Sequence, residues 1–160
     1  MSESKEIIAE AEEAVKNEDQ PTEEKTTTPE SVLQDLQNQR TGMFDLDLSY
    51  SEANYFRNML DKAEYKGPQQ AYLLIISKLE ISQICESLKG NPKEEKSKVQ
   101  MSSASIESIS YFMNNRIGTG ANSAQKLFAA SMVIRPAVSK INELDHQISI
   151  IQKGLEQESN

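Results

Sequence analysis

The sequence has few of the residues on which catalytic and metal sites usually depend. Its 160 residues include one cysteine, Cys85, one histidine, His146, and no tryptophan. A single cysteine excludes an intrachain disulfide, and one cysteine with one histidine supplies neither a zinc ligand set nor a catalytic pair. We therefore expect no catalytic residue, no metal ligand and no cofactor, and we predict that the protein is not an enzyme.

Long apolar runs and basic clusters are also missing. No stretch approaches twenty apolar residues, so we expect no membrane span. The N-terminus has neither a basic region nor an apolar region of the secretory type, which favours a cytoplasmic location, including an infected host cell or a phage particle. Nucleic-acid binding is expected to be weak, because it would require folding to gather Arg116, Lys126 and Arg135.

Acidic residues are concentrated at the start of the chain. Residues 1–42 carry 11 acidic and 4 basic side chains, out of a net charge of -8 for the whole chain. This composition predicts a mostly disordered acidic tail with conditional short helices, one of them starting at Thr28 and Pro29. Two apolar groups in the tail are predicted to anchor a partner protein: Ile7, Ile8 and Val15, and Val32, Leu33 and Leu36.

The remaining residues, 43–160, predict an all-α domain. Helical hairpins are expected over residues 49–89 and 102–155, joined by an exposed polar linker over residues 90–101 and packed on each other as a small bundle. Ser49 and Glu52 form a capping-box pattern at the first start. Residues 71–76 are apolar all round, which predicts a buried segment. The alternating residues 44–48 are too few to predict a sheet, and a shift of 56 aligns Tyr55 with Tyr111 as a weak internal duplication.

The most regular pattern is a seven-residue repeat in the C-terminal helix. All nine a and d positions of four heptads are apolar: Leu127, Ala130, Ile134, Ala137, Ile141, Leu144, Ile148, Ile151 and Leu155. A straight helix drifts off a strict heptad stripe, so this seam predicts a coiled coil with a partner helix. The partner is either a second copy, with Lys140 facing Asp145 in a parallel dimer, or residues 72–88 of the same chain.

Pro136 lies inside the heptads and removes one helical hydrogen bond. We expect either a kink at Pro136 with the seam in phase, or two helices over residues 123–134 and 136–154 that meet end to end.

These patterns favour a non-enzymatic protein-protein interaction module. It is expected to self-associate as a homo-oligomer, or to dock, through its C-terminal helix, and to recruit a protein partner through the acidic tail. One alternative is a structural or DNA-packaging accessory or scaffold protein of a particle like that of a tailed phage. Another is an acidic nucleic-acid mimic that inhibits a DNA-binding protein.

Overall fold

The computed structural model describes residues 28–158 and is mostly helical, with 73% of the residues in helices. A two-stranded antiparallel ribbon, which the all-α prediction does not include, joins the helices. The elements in chain order are α1 (Pro29–Arg40), β1 (Met43–Leu48), α2 (Tyr50–Asp61), α3 (Gly67–Leu88), β2 (Ser97–Ser102), α4 (Ser103–Asn114) and α5 (Ala121–Glu158).

The helices begin at local capping signals. The Thr28 side chain accepts a hydrogen bond from the Ser31 N–H at 3.2 Å, directly before Pro29 at the start of α1. Ser49 and Glu52 form the complete capping box at the start of α2. Gly67, with a φ of 75°, reverses the chain between α2 and α3 in a backbone conformation that favours glycine.

The ribbon pairs β1 with residues that the sequence places in a polar linker. β1 alternates strictly, with Phe44, Leu46 and Leu48 buried and the intervening side chains exposed. Its partner β2 occupies the end of the predicted linker and buries only Met101 completely. The prediction of a linker over residues 90–101 is therefore wrong from residue 97 onward, because β2 is polar on its own and is held by a strand more than fifty residues away.

The chain contains a strand-helix-helix unit twice, at a shift of 53 residues. Leu46 pairs with Val99, and the flanking pairs Phe44–Met101 and Leu48–Ser97 exchange under this shift, so a pseudo-two-fold axis passes through the Leu46–Val99 pair. The buried positions obey the same shift. Ala53, Phe56, Met59 and Leu60 correspond to Ile106, Ile109, Phe112 and Met113, and Ser77, Ile81, Ile84 and Leu88 correspond to Ala130, Ile134, Ala137 and Ile141.

The sequence match at a shift of 56 is therefore three residues out of structural register. Tyr55 and Tyr111 share a local sequence but occupy different positions in their units. The N-cap of the second unit also differs from that of the first. The Glu80 carboxylate, from α3, accepts hydrogen bonds from the Ser102 N–H at 2.7 Å, from the Ser102 hydroxyl at 2.6 Å and from the Ser105 hydroxyl. This carboxylate replaces the local one that Glu52 supplies in the first unit.

Helix α1 lies outside the repeat and packs against α5. Contacts along α5 indicate that the two helices run antiparallel, since Lys140 lies beside Phe44 and Asp145 beside Arg40, which precedes Phe44. The predicted disordered tail is thus a packed helix over Pro29–Arg40. Residues 1–27 and their predicted disorder lie outside the described residues.

Candidate functional site

The first part of the heptad seam is part of the protein's own core. Ala130, Ile134, Ala137, Ile141 and Leu144 are buried within the single chain, and Ile141 is only 1% exposed. Helix α5 packs mainly on α1, α4 and β1. The partner of the seam is therefore largely intramolecular, although it is not residues 72–88 of α3, which we named as the alternative.

The seam becomes less covered beyond Leu144. Ile148, Ile151 and Leu155 are half-buried, and Leu127 at the opposite end is also half-buried. In the first unit, Leu88 ends α3 at the position equivalent to Ile141. The last part of α5 is thus an extension that the first unit lacks. The antiparallel path of α1 places it along this extension.

Arg40 fixes the end of α1 to the body. Its Nη2 lies 2.6 Å from Glu107 Oε1, its Nη1 lies 3.1 Å from Glu107 Oε2, and its Nε lies 2.6 Å from Asp145 Oδ1. The side-chain hydrogen bond to Asp145 raises the pKa of Arg40 most, with a further increase from Glu107. A planar guanidinium bridges two carboxylates from different helices, which is a geometry that lysine does not reproduce.

The charge pair predicted for a parallel dimer is engaged within the chain. Asp145 binds Arg40, and the Lys140 ammonium lies 5.9 Å from the centre of the Phe44 ring. A cation over an aromatic face is attracted by the ring quadrupole. Neither side chain needs a second copy to find an interaction.

The tail anchors divide into two groups. Val32, Leu33 and Leu36 are half-buried on α1, and Leu36 packs against the core. They already contact the protein's own body, so partner binding through them would require α1 to move. Ile7, Ile8 and Val15 lie outside the described residues.

An exposed apolar face lies on α3, where the sequence predicts burial. Tyr72, Ile75 and Leu79 are 63%, 58% and 61% exposed. Their spacing places them on one side of the helix, opposite Ser77, Ile81 and Ile84, which face the core. We call Tyr72, Ile75 and Leu79 the α3 face. Sequence reasoning missed it because an all-apolar segment is typical of a helix that is covered on both sides.

The second unit has a shorter version of this face. Phe128 and Met132, the equivalents of Ile75 and Leu79 at a shift of 53, are 67% and 48% exposed on α5. The equivalent of Tyr72 is Gln125, which is polar. The apolar stripe is therefore complete only on α3.

The cavities of the described region follow the pseudo-symmetry and show no catalytic arrangement. A cavity of about 250 Å³ lies between the two helix-helix turns and is lined by the equivalent residues Met59 and Phe112. Among residues 28–158, no group of three or more His, Cys, Asp or Glu side chains is placed to hold a metal ion. Cys85 is buried, and desolvation raises the pKa of its thiol. His146 is exposed.

The basic residues considered for nucleic acid are not gathered into one patch. Arg116 lines the cavity between the helix-helix turns, whereas Lys126 lines a separate groove between α2 and α5. Arg135 is exposed on α5. Phosphate binding needs clustered positive charge, which these three positions do not form.

No described helix combines the length and the apolar character that crossing a membrane requires. Comparison with protein-family models, with curated proteins and with solved structures finds no match to this chain.

Proposed function

We propose that the protein is a non-enzymatic protein-protein interaction module that forms a homodimer through the α3 face. The observation that supports this proposal most is the exposure of Tyr72, Ile75 and Leu79 on the side of α3 opposite the core. Three large apolar side chains aligned on one helix, instead of scattered singly, are typical of a binding surface. A helix that is apolar on both sides is expected to be covered on both sides.

A second copy fits this face because the pattern along α3 is self-complementary. When two α3 helices cross antiparallel about a two-fold axis, Tyr72 of one copy faces Leu79 of the second copy, and Ile75 lies at the centre. The same register brings Lys66 toward Glu86 of the second copy at each end. Both side chains are exposed in the single chain, and helix α3 is about 33 Å long at 1.5 Å per residue.

Light scattering over a range of concentrations tests the dimer. The expected mass rises from 17.9 kDa toward twice that value in the wild type and stays at 17.9 kDa in the double variant Ile75→Ser, Leu79→Ser. The matched control is Phe128→Ser, Met132→Ser, at the equivalent positions of the second unit, and it should dimerise like the wild type. A wild-type protein that stays at 17.9 kDa at every concentration would refute the proposal.

The C-terminal helix and the tail keep a smaller part in this proposal. Self-association through the seam is restricted to the part beyond Leu144, because the preceding a and d side chains are already buried. Recruitment of a protein partner through Ile7, Ile8 and Val15 is tested by isolating partners from the native cell with and without residues 1–27. A cytoplasmic or virion location belongs to the same proposal.

The packing of the helices as a bundle and a bend at Pro136 are also part of this proposal. Helix α5 is continuous through Pro136, and Ile134 and Ala137 on either side of it are both buried. A bend that keeps the seam in phase explains how a missing hydrogen bond is tolerated there. Residual dipolar couplings of the N–H vectors before and after Pro136 test it, since a straight helix requires one common axis.

A role as a structural or DNA-packaging accessory protein is the second candidate, and the ribbon is the observation that favours it. A two-stranded ribbon fits the major groove of DNA, and its outward face here offers Lys98 and Gln100. The same face carries Asp45 and Asp47, which repel phosphate. This candidate therefore requires measurable binding to duplex DNA at low salt that Lys98→Ala weakens. The nucleic-acid mimic is the third candidate, and competition with DNA for a basic target protein tests it.

A further inference from the structure

Three helices of the described region have the same length, and α1 is held much less firmly than the other two. Helices α1, α2 and α4 each contain 12 residues. Helix α2 contributes four buried residues and α4 contributes seven, whereas α1 contributes none. Its three aliphatic side chains are only half-buried. Because tertiary packing supplies most of the stability of a short helix, α1 is the element that detaches most easily.

One arginine makes the polar attachment of α1. Arg40 bridges Glu107 on α4 and Asp145 on α5, as described above. The following strand is fixed independently, since the Ser103 N–H donates to the Gly42 carbonyl at 3.2 Å. Helix α1 can therefore leave by a movement at Thr41 and Gly42 without disturbing the ribbon.

The surface beneath α1 has the properties of a binding site for a helix. The antiparallel path of α1 places it along the C-terminal seam, which Leu144, Ile148, Ile151 and Leu155 form. The sequence of this extension, residues 142–158, carries four acidic side chains and one lysine. An apolar stripe flanked by acids is complementary to an amphipathic helix with basic residues, and this charge balance disfavours a second copy of the same extension.

We propose that the C-terminal seam, with Glu107 and Asp145 at its inner end, is a docking site for a basic amphipathic helix of another protein, and that α1 covers this site in the free protein. The docked helix runs antiparallel to α5. It places apolar side chains at the positions of Val32, Leu33 and Leu36, and an arginine at the position of Arg40. This surface is separate from the α3 face, so the proposal does not depend on the dimer.

The test uses a fluorescein-labelled peptide of residues 28–42 added to the full-length protein. In the wild type, the attached α1 competes with the peptide at a high effective concentration. Arg40→Glu in the protein weakens the attached helix and leaves the site intact. Fluorescence anisotropy should therefore show the peptide binding at least about tenfold more tightly to the Arg40→Glu protein than to the wild type. A control peptide with glutamate at position 40 should not bind this variant.

Hydrogen exchange on the wild-type protein provides a test that does not depend on any variant folding. The amides of α1 should exchange at least about tenfold faster than those of α2, a helix of the same length. Equal protection of the two helices would overturn the displaceable cover. Equal peptide affinity for the wild type and Arg40→Glu, or no binding to either, would overturn the docking site.

Discussion

Replacing Ile141 by alanine distinguishes a seam that belongs to the core from a seam that belongs to an interface between chains. Ile141 is 1% exposed at the middle of the heptads. The substitution removes three buried carbon groups at about 0.8 kcal/mol each, and the remaining cavity adds a further cost. We expect the free energy of unfolding to fall by about 3 to 4 kcal/mol, within the range of about 2 to 5 kcal/mol for such changes.

Urea unfolding followed by circular dichroism measures this loss at several protein concentrations. Leu88→Ala, at the equivalent position of the first unit and 3% exposed, should show a loss of similar size. Ile150→Ala, on a side chain that is 57% exposed, should cost less than about 1 kcal/mol. The reasoning is wrong if Ile141→Ala costs as little as Ile150→Ala, or if its effect appears only as weaker association.

The remaining predictions concern the helix termini and the buried thiol. Glu80→Gln should lower the free energy of unfolding by about 1 to 3 kcal/mol in urea titrations, because its carboxylate accepts three hydrogen bonds at the start of α4; Glu52→Gln, in the local capping box, should cost less. Gly67→Ala should cost about 1 kcal/mol because its φ is positive, whereas Gly90→Ala, where an added Cβ meets nothing within 4 Å and φ is not positive, should be close to neutral in thermal unfolding. Burial raises the pKa of the Cys85 thiol, so its contribution to stability is complete below the unfolded pKa of about 8.5 and is lost as the pH rises through the folded pKa. The fall in melting temperature above that pH should be smaller in Cys85→Ala.

Local signals predict the helices well because each signal involves neighbouring residues. Thr28 with Pro29, and Ser49 with Glu52, start α1 and α2 where the sequence places them. Gly67 ends the first hairpin turn for a backbone reason that is visible in the sequence. These signals need no knowledge of the rest of the fold.

The ribbon and the partner of the seam were missed because they depend on residues far apart in the chain. β2 contains only two apolar residues, Val99 and Met101, and its pairing with β1 supplies the missing reason to form a strand. A heptad repeat shows that a partner helix is needed, but not which helix provides it. The shift of 53 is difficult to find in the sequence because equivalent core positions keep their burial and not their residue type, as Phe56 and Ile109 show.

The surfaces proposed for function differ in how far the sequence predicts them. The C-terminal seam is predicted residue by residue, and the structure adds that α1 lies along its exposed end and that Arg40 is bound by two carboxylates. The α3 face was predicted as buried core, since an apolar segment has the same composition whether the protein itself or another molecule covers it. Exposure in the folded chain is the observation that separates the two cases.

Disulfide trapping of the α3 face tests the central claim most directly. Ile75→Cys in a Cys85→Ser background places one thiol near the centre of the antiparallel α3 pair, where facing Cα atoms approach within the roughly 4.4 to 6.8 Å that a disulfide spans. We predict that mild oxidation converts this variant largely to a covalent dimer, while Ile150→Cys in the same background, equally exposed on α5, stays mostly monomeric. Equal crosslinking of the two variants, or none at position 75, would contradict dimerisation through α3.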